Sequence, residues 1–365
     1  MSGELSADYK SGSQRARVVT EAWGAENLYC PNCSSPKLNR LVHNTQASDF
    51  SCPRCQFYFQ LKGQKTRIGN SITDGAYAAM MRALQTDAAP SYYFLHYEIA
   101  QDAGRPETSS VAAVYDRRTG SQCQRTGGNT PPPQFPTWIV RNLILVPHFA
   151  FPPSAIIKRP PLSSTARRAG WVGCNFALNR IPPDARIEIV RTVTPGRVGQ
   201  ASRLPVGAAS SRPFHPAQDA RRPETSSVAA VYDRRTGSHN QRTGAPGAPL
   251  PFQHPNHIGA STLIIPPEEV RKQFQHIKPL QELPVKERGW TLDVLNVVRR
   301  LANEKLKRTK GNGEFTNAEV YAFERELERL HPDNRHVRDK IRQQLQVLRD
   351  AGFLNQVERG VWRAK

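Results

Sequence analysis

The stretch Cys52-Pro-Arg-Cys55-Gln-Phe-Tyr-Phe-Gln60-Leu-Lys62 joins a metal-knuckle signature to an alternating strand. Successive side chains of a strand point to opposite faces. Phe57, Phe59 and Leu61 therefore share one face, and Tyr58, Gln60 and Lys62 the other. A second knuckle, Cys30-Pro-Asn-Cys33, lies 18 residues upstream of the first. Each knuckle turns two thiolates toward one point, and four thiolates complete a closed tetrahedral shell of the zinc-ribbon kind. Such a zinc, held by Cys30, Cys33, Cys52 and Cys55, has no open position for water and is structural. Either knuckle alone would also suit a redox pair.

Asp49 stands just before the Cys52 knuckle. Phosphodiester hydrolysis needs a divalent cation to polarise the phosphate and a group that assists the attacking water, tasks suited to a carboxylate and a nearby Lys. Asp49 followed by Gln60 and Lys62 has the layout of PD-(D/E)xK nucleases, although such spacings also arise by chance. Of the other cysteines, Cys174 reads as a small core residue and Cys123 receives no role.

The 365 residues carry 51 Lys and Arg against 31 Asp and Glu, a net charge of +20, which points to a polyanionic partner. Nucleic acid leads, although a ribosomal or membrane-surface role has the same charge. No apolar run approaches the roughly 18 residues of a membrane span, and Met1 to Lys10 lacks a signal-peptide layout. A cytoplasmic protein is expected, where paired cysteines read as metal ligands.

Hydrophobic residues are 38% of the chain, with 30 prolines and 24 glycines, so part of the length lies outside any core. A self-comparison shows where. The segment from Ala100 to Gly127 recurs from Ala217 to Gly244, differing only at Gly104/Arg221, Gln122/His239 and Cys123/Asn240. Both copies are rich in Arg, Thr, Ser and Gly and lack the apolar period of a solenoid. They read as insertions at about 100–136 and 195–260, tolerated because lengthening a loop costs little closure entropy.

Around them a mixed α/β core is expected. Its strands are Phe57–Leu61, Tyr92–Tyr97, Trp138–Val146 and Arg186–Val193, with a helix at Asp74–Leu84. The C-terminal segment carries a helix from Gly289 to about Lys307, a second opened by a Thr316/Glu319 capping box, and a third over about Asn334–Asp350. Val337, Ile341, Leu345 and Leu348 form the buried stripe of the third, leaving Arg338, Lys340, Arg342, Gln343, Gln344 and Gln346 for an exposed face. Glu358-Arg359-Gly360 then closes a hairpin. Three helices and a hairpin make a winged helix, whose third helix can enter the major groove and pair Arg with guanine and Gln with adenine. A solvated charged face or a protein-binding winged helix would carry the same pattern.

These residues together resemble the DpnI-type restriction endonucleases, which cut GATC sites only when the adenine is N6-methylated. The resemblance runs through Tyr9-Gln14, the two knuckles, Asp49-Phe50, Gln60-Lys62, Asp74-Ala78, Thr165-Trp171 and Lys340-Gln346. It implies a PD-(D/E)xK catalytic domain over 1–284, with a zinc ribbon at about 28–57, and a winged-helix domain over 285–365. It also implies an enzyme that is a Mg²⁺-dependent type II deoxyribonuclease and binds double-stranded DNA methylated at the adenine of GATC as a monomer. Asp49 and Gln60 would hold Mg²⁺, together with the Leu61 carbonyl, and Lys62 would orient or activate the water. Gln60 departs from the family pattern, where DpnI has Glu: an amide oxygen can ligate a hard cation but brings no charge. Glu21 could add charge, or it is a helix-surface acid. The alternative to an enzyme is a catalytically impaired reader of methylated DNA.

Trp171 matches the tryptophan that sits against the adenine methyl groups in that family. One buried methyl contributes about 0.8 kcal/mol, about fourfold in affinity. Two methyl groups read by two domains contribute about 3 kcal/mol, on the order of 200-fold.

Overall fold

The alternation of Phe59 and Leu61 against Gln60 and Lys62 becomes strand β3, Tyr58–Gln64, with Phe59 and Leu61 buried and Gln60 and Lys62 half-buried on the opposite face. It is read from a computed structural model that describes residues 1, 4–42, 48–100, 137–192, 262–309 and 312–365. The sequence copies from Gln101 to Gly127 and from Ala217 to Gly244, with Cys123 and Asn240, lie outside the described residues.

β3 belongs to a seven-stranded sheet with β1 (Asn39–Arg40), β2 (Phe50–Ser51), β5 (Ser91–Ala100), β6 (Thr137–Val146), β9 (Ile187–Thr192) and β10 (Thr262–Ile264), in the order β1-β2-β3-β5-β6-β9-β10. All neighbours are antiparallel except β3 and β5. A parallel pair needs a crossover. Here it is made of β4 (Ser71–Ala76) and helix α2 (Tyr77–Gln85). Helix α1 (Gly12–Asn27) lies on the sheet, burying Val19 and Trp23. It approaches so closely that a Cβ at Gly24 would meet the Phe50 ring at 2.8 Å.

A smaller sheet, ordered β4-β8-β7 with β7 at Ile156–Lys158 and β8 at Gly173–Ala177, packs against the large one. Tyr92 and Phe94 of β5 meet Phe176 of β8 at ring distances of 4.9 and 5.8 Å, and Phe151 closes the cluster. The expected helix over Asp74–Leu84 needs correction, because residues 71–76 form a strand and the helix starts at Tyr77. Asp74 and Gly75 are weak helix formers, and Ala76 pairs with Gly173 of β8, so the ladder carries on to Ala76 before the helix begins.

Helix α3 (Pro267–Ile277), not anticipated from the sequence, buries Val270, Phe274 and Ile277. The C-terminal segment contains α4 (Val285–Thr309), α5 (Asn317–Tyr321), α6 (Glu324–Leu330) and α7 (Val337–Asp350). A three-stranded sheet of β11 (Glu314–Thr316), β12 (Leu354–Glu358) and β13 (Val361–Ala364), in the order β11-β13-β12, completes it. The capping box forms as expected, with Thr316 accepting from the Glu319 N–H. The element behind it is two short helices rather than one. The third helix starts at Val337 rather than near Asn334, whose side chain instead accepts from the His336 N–H at 2.7 Å. Gly360 turns the hairpin at φ +80°, a left-handed conformation suited to glycine.

The described residues all fall in one compact unit. Within it, Arg288 pairs with Asp87 at 2.6 Å, Arg299 with Asp184 at 2.5 Å, and Ser154 donates to Asp293 at 2.6 Å. The helical segment is thus fastened to the mixed core by polar contacts at several points. Among the described residues, no helix is long and apolar enough to cross a membrane.

Candidate active site and metal centre

The two knuckles meet as the spacing predicts. The sulfur atoms of Cys30, Cys33, Cys52 and Cys55 lie within 4.8 Å of one another, with Cys30–Cys55 and Cys33–Cys52 each at 3.5 Å. Four soft donors so arranged can hold one metal ion. Burial pushes the Cys30 thiol up. At Cys52 burial acts in the same direction, but the backbone N–H groups of Cys55 and Arg54, with the neighbouring thiols, bring it down to about 7. A positive φ of 60° at Gln56 completes the second turn. Helix α3 holds the first: Arg271 donates to the Cys30 and Cys33 carbonyls at 3.2 and 3.0 Å, and Gln275 to the Asn32 carbonyl.

The second knuckle delivers Asp49 to β3. The Asp49 N–H donates to the Phe59 carbonyl, and its Oδ2 accepts from the Leu61 N–H, both at 2.9 Å. The carboxylate therefore lies at the edge of the strand segment that carries Gln60 and Lys62. The N–H and C=O of one strand residue point to the same edge, which also turns the Leu61 carbonyl toward Asp49. An Asp carboxylate, an amide oxygen and a carbonyl form an all-oxygen donor set of the type that hard divalent cations take. Burial raises the Asp49 pKa and Glu21 adds to the rise, while the Leu61 N–H, Lys62 and Arg17 oppose it.

Glu21 is not a surface acid. It is buried on α1, where its two oxygens pair with Arg17 at 2.5 Å and Arg40 at 2.7 Å. Lys62 also has a partner that sequence reasoning missed: Asp74 Oδ1, at 2.6 Å from its Nζ. The Asp74-Gly75 pair and the match over Asp74-Ala78 were its signals, and the helix assigned there concealed the carboxylate. Cys174 is buried beside them, its thiol pushed up to about 11 by burial and then by Asp74.

Trp171 lies just before β8, three residues ahead of Cys174. It ends a turn in which its N–H donates to the Arg168 carbonyl and Gly170 has φ +76°. The indole is half-buried over Gly173, where a Cβ would meet the ring at 2.8 Å. Arg167 and Arg168, exposed, precede it in the same turn.

On α7, Val337, Ile341, Leu345 and Leu348 are buried as the stripe predicted. Arg338, Arg342 and Gln343 are exposed and Lys340 is half-buried. Arg338 pairs with Glu324 at 2.8 Å, Arg342 with Asp339, and Lys340 donates to Gln343 at 2.9 Å. Gln344 corrects the expectation of an exposed amide, because it is fully buried and accepts from the Thr291 hydroxyl at 2.6 Å. Its position falls on the boundary of the apolar stripe, next to Leu345, and packing against α4 draws it inward. Gln344→Ala is therefore expected to lower stability by about 0.5–1.5 kcal/mol, by leaving the Thr291 hydroxyl only its 3.3 Å bond to the Glu287 carbonyl, while leaving DNA sequence preference unchanged. Denaturant melts and a binding-site selection on the same protein check both parts.

Two family models match the chain. The model described as the Dam-replacing family, DpnI, matches residues 1–103 and 135–197. The model described as the Dam-replacing HTH domain matches residues 286–364. The first match passes over residues 104–134, and neither model matches 198–285.

Proposed function

Because the chain belongs to the Dam-replacing DpnI family, one of methyl-dependent restriction nucleases, we propose that it is a type II endonuclease cleaving double-stranded DNA at GATC sites containing N6-methyladenine. The observation that carries the catalytic half of this reading is the Asp49–Leu61 hydrogen bond, which sets a carboxylate against the Gln60–Lys62 strand. We read residues 1–284 as a PD-(D/E)xK catalytic domain and 285–365 as a winged-helix domain, acting in the cytoplasm as a monomer.

In this reading Asp49, the Gln60 amide oxygen and the Leu61 carbonyl hold Mg²⁺. The ion, when bound, polarises the scissile phosphate and acidifies a water. Asp49 is pre-aimed by the Leu61 N–H, so no backbone change is needed to present its second oxygen. Lys62, on the same face as Gln60, orients the attacking water and faces the phosphate with its ammonium. The four cysteines hold a structural zinc that fixes the path of the chain between Asp49 and Gln60. Trp171, just after two exposed arginines, supplies the apolar face for the adenine methyl group, and Arg338, Lys340, Arg342 and Gln343 of α7 supply the second reading of the site.

The test uses GATC-containing plasmid from methylating and non-methylating hosts, incubated with the protein and Mg²⁺. Cutting of the methylated plasmid alone is the expected result. Retardation in a gel without cutting would replace the enzyme by a reader of methylated DNA. In the same assay Gln60→Glu should keep or raise the rate at low Mg²⁺, since it adds the charge that the amide lacks. A fall would show that the amide has a role of its own.

A further inference from the structure

Glu21 is held between Arg17 and Arg40, but the nuclease reading leaves the acid beside Lys62 without a task. Asp74 comes from β4, in the small sheet, and its side chain is only 8% exposed, yet its Oδ1 stands 2.6 Å from Lys62 Nζ on the large sheet. β4 pairs with β8 from Ser71 to Thr73 and again at Ala76, so the register breaks at Asp74 and Gly75. A break of this kind leaves residues out of the ladder and re-aims a side chain. The Cys174 thiol, bonded at 3.6 Å to the Gly75 carbonyl, packs against the same bulge.

Stability does not explain the pair. With the Asp74 carboxylate desolvated and Lys62 only partly exposed, such a pair is often no more stabilising than apolar residues of the same volume. Charge does explain it. Asp49 and Lys62 cancel and Gln60 is neutral, so without Asp74 these residues offer a divalent cation no net negative charge. With Asp74 the balance is one negative charge, the same as a Glu at position 60 would provide.

We propose that Asp74 is a positioning residue for cleavage: across a bulge in the small sheet it aims the Lys62 ammonium and supplies the negative charge that Gln60 does not. This rests on the nuclease reading for its catalytic part only. The Asp74–Lys62 contact is testable without any cleavage.

The experiment uses the full chain with Asp74→Asn, Asp74→Glu, Lys62→Met, Asp74→Asn/Lys62→Met and Asp74→Asn/Gln60→Glu. Thermal melts come first. Lys62→Met strands a buried carboxylate and should lower Tm, and adding Asp74→Asn should recover part of the loss. Additive losses would overturn the pairing. Next, a methylated GATC duplex is bound without metal and then cut in a single turnover with Mg²⁺. Asp74→Asn should bind no more weakly, since a negative charge near the phosphate has gone, yet cut about 10- to 100-fold more slowly. Asp74→Glu should restore part of that rate, and Asp74→Asn/Gln60→Glu more of it. Binding and cutting that fall together, or no recovery with Gln60→Glu, would overturn the proposal. Absence of cutting by the unaltered protein would overturn the nuclease reading and the catalytic role together, while the melts would still judge the pair.

Discussion

Asp49→Asn is expected to reduce cleavage of methylated DNA by about three orders of magnitude or more, while the protein stays folded. A cation-held transition state draws several kcal/mol from its carboxylate ligands, and about 4 kcal/mol corresponds to that factor. The fold should not suffer, because the Asn side-chain oxygen can still accept from the Leu61 N–H. Stability should in fact move the other way. Burial, with Glu21 nearby, raises the Asp49 pKa above its unfolded value. A raised pKa contributes stability that is fully present below the unfolded pKa and is lost as pH rises through the folded one. At neutral pH the ionised carboxylate therefore opposes folding, and Asn removes that opposition. The variant should melt no lower than the parent at pH 7, and the gap should shrink as pH falls into the carboxylate range. Retained cleavage would remove Asp49 from the active site; a lower Tm at pH 7 would show that the carboxylate is structural.

Stripping the metal from the cysteine cluster should abolish cleavage even in excess Mg²⁺. Structural zinc in a four-cysteine site contributes on the order of 10–16 kcal/mol, comparable with the whole stability of a domain, about 5–15 kcal/mol. The first knuckle has a second anchor in Arg271 and Gln275. The second knuckle lies between Asp49 and Gln60, and its loss frees one side of the site from the other. The measurement is metal content by atomic emission, followed by cleavage after chelation, removal of the chelator, and return of Zn²⁺ or Mg²⁺. Recovery with Zn²⁺ but not with Mg²⁺ alone is expected, and Cys55→Ser should behave like the stripped protein. Full activity of the metal-free protein would reduce the cluster to a peripheral feature.

Both predictions concern residues that were legible from local pattern. Period-two alternation placed Gln60 and Lys62 on one face because a strand leaves no other choice. The C-x-x-C spacing closed on itself because each knuckle is a local turn. The α7 stripe was legible for the same reason, with burial following helical period at Val337, Ile341, Leu345 and Leu348. Gln344 escaped, since whether a residue at the edge of a stripe faces solvent depends on the neighbouring helix, here through Thr291 of α4.

The alternating strand, the capping box and the C-terminal hairpin follow from residues close in the chain, and the four-cysteine cluster from two local knuckles of matching spacing. That residues 71–76 are a strand, that Asp74 faces Lys62, that Glu21 lies buried between Arg17 and Arg40, and that α3 holds the first knuckle came from packing alone. Each of these needs a partner from a distant part of the chain, and local propensity carries no information about which partner will arrive. In Asp74 the two sources meet: the residue type was visible from the start, but its role became visible only when a second sheet brought the carboxylate to the lysine.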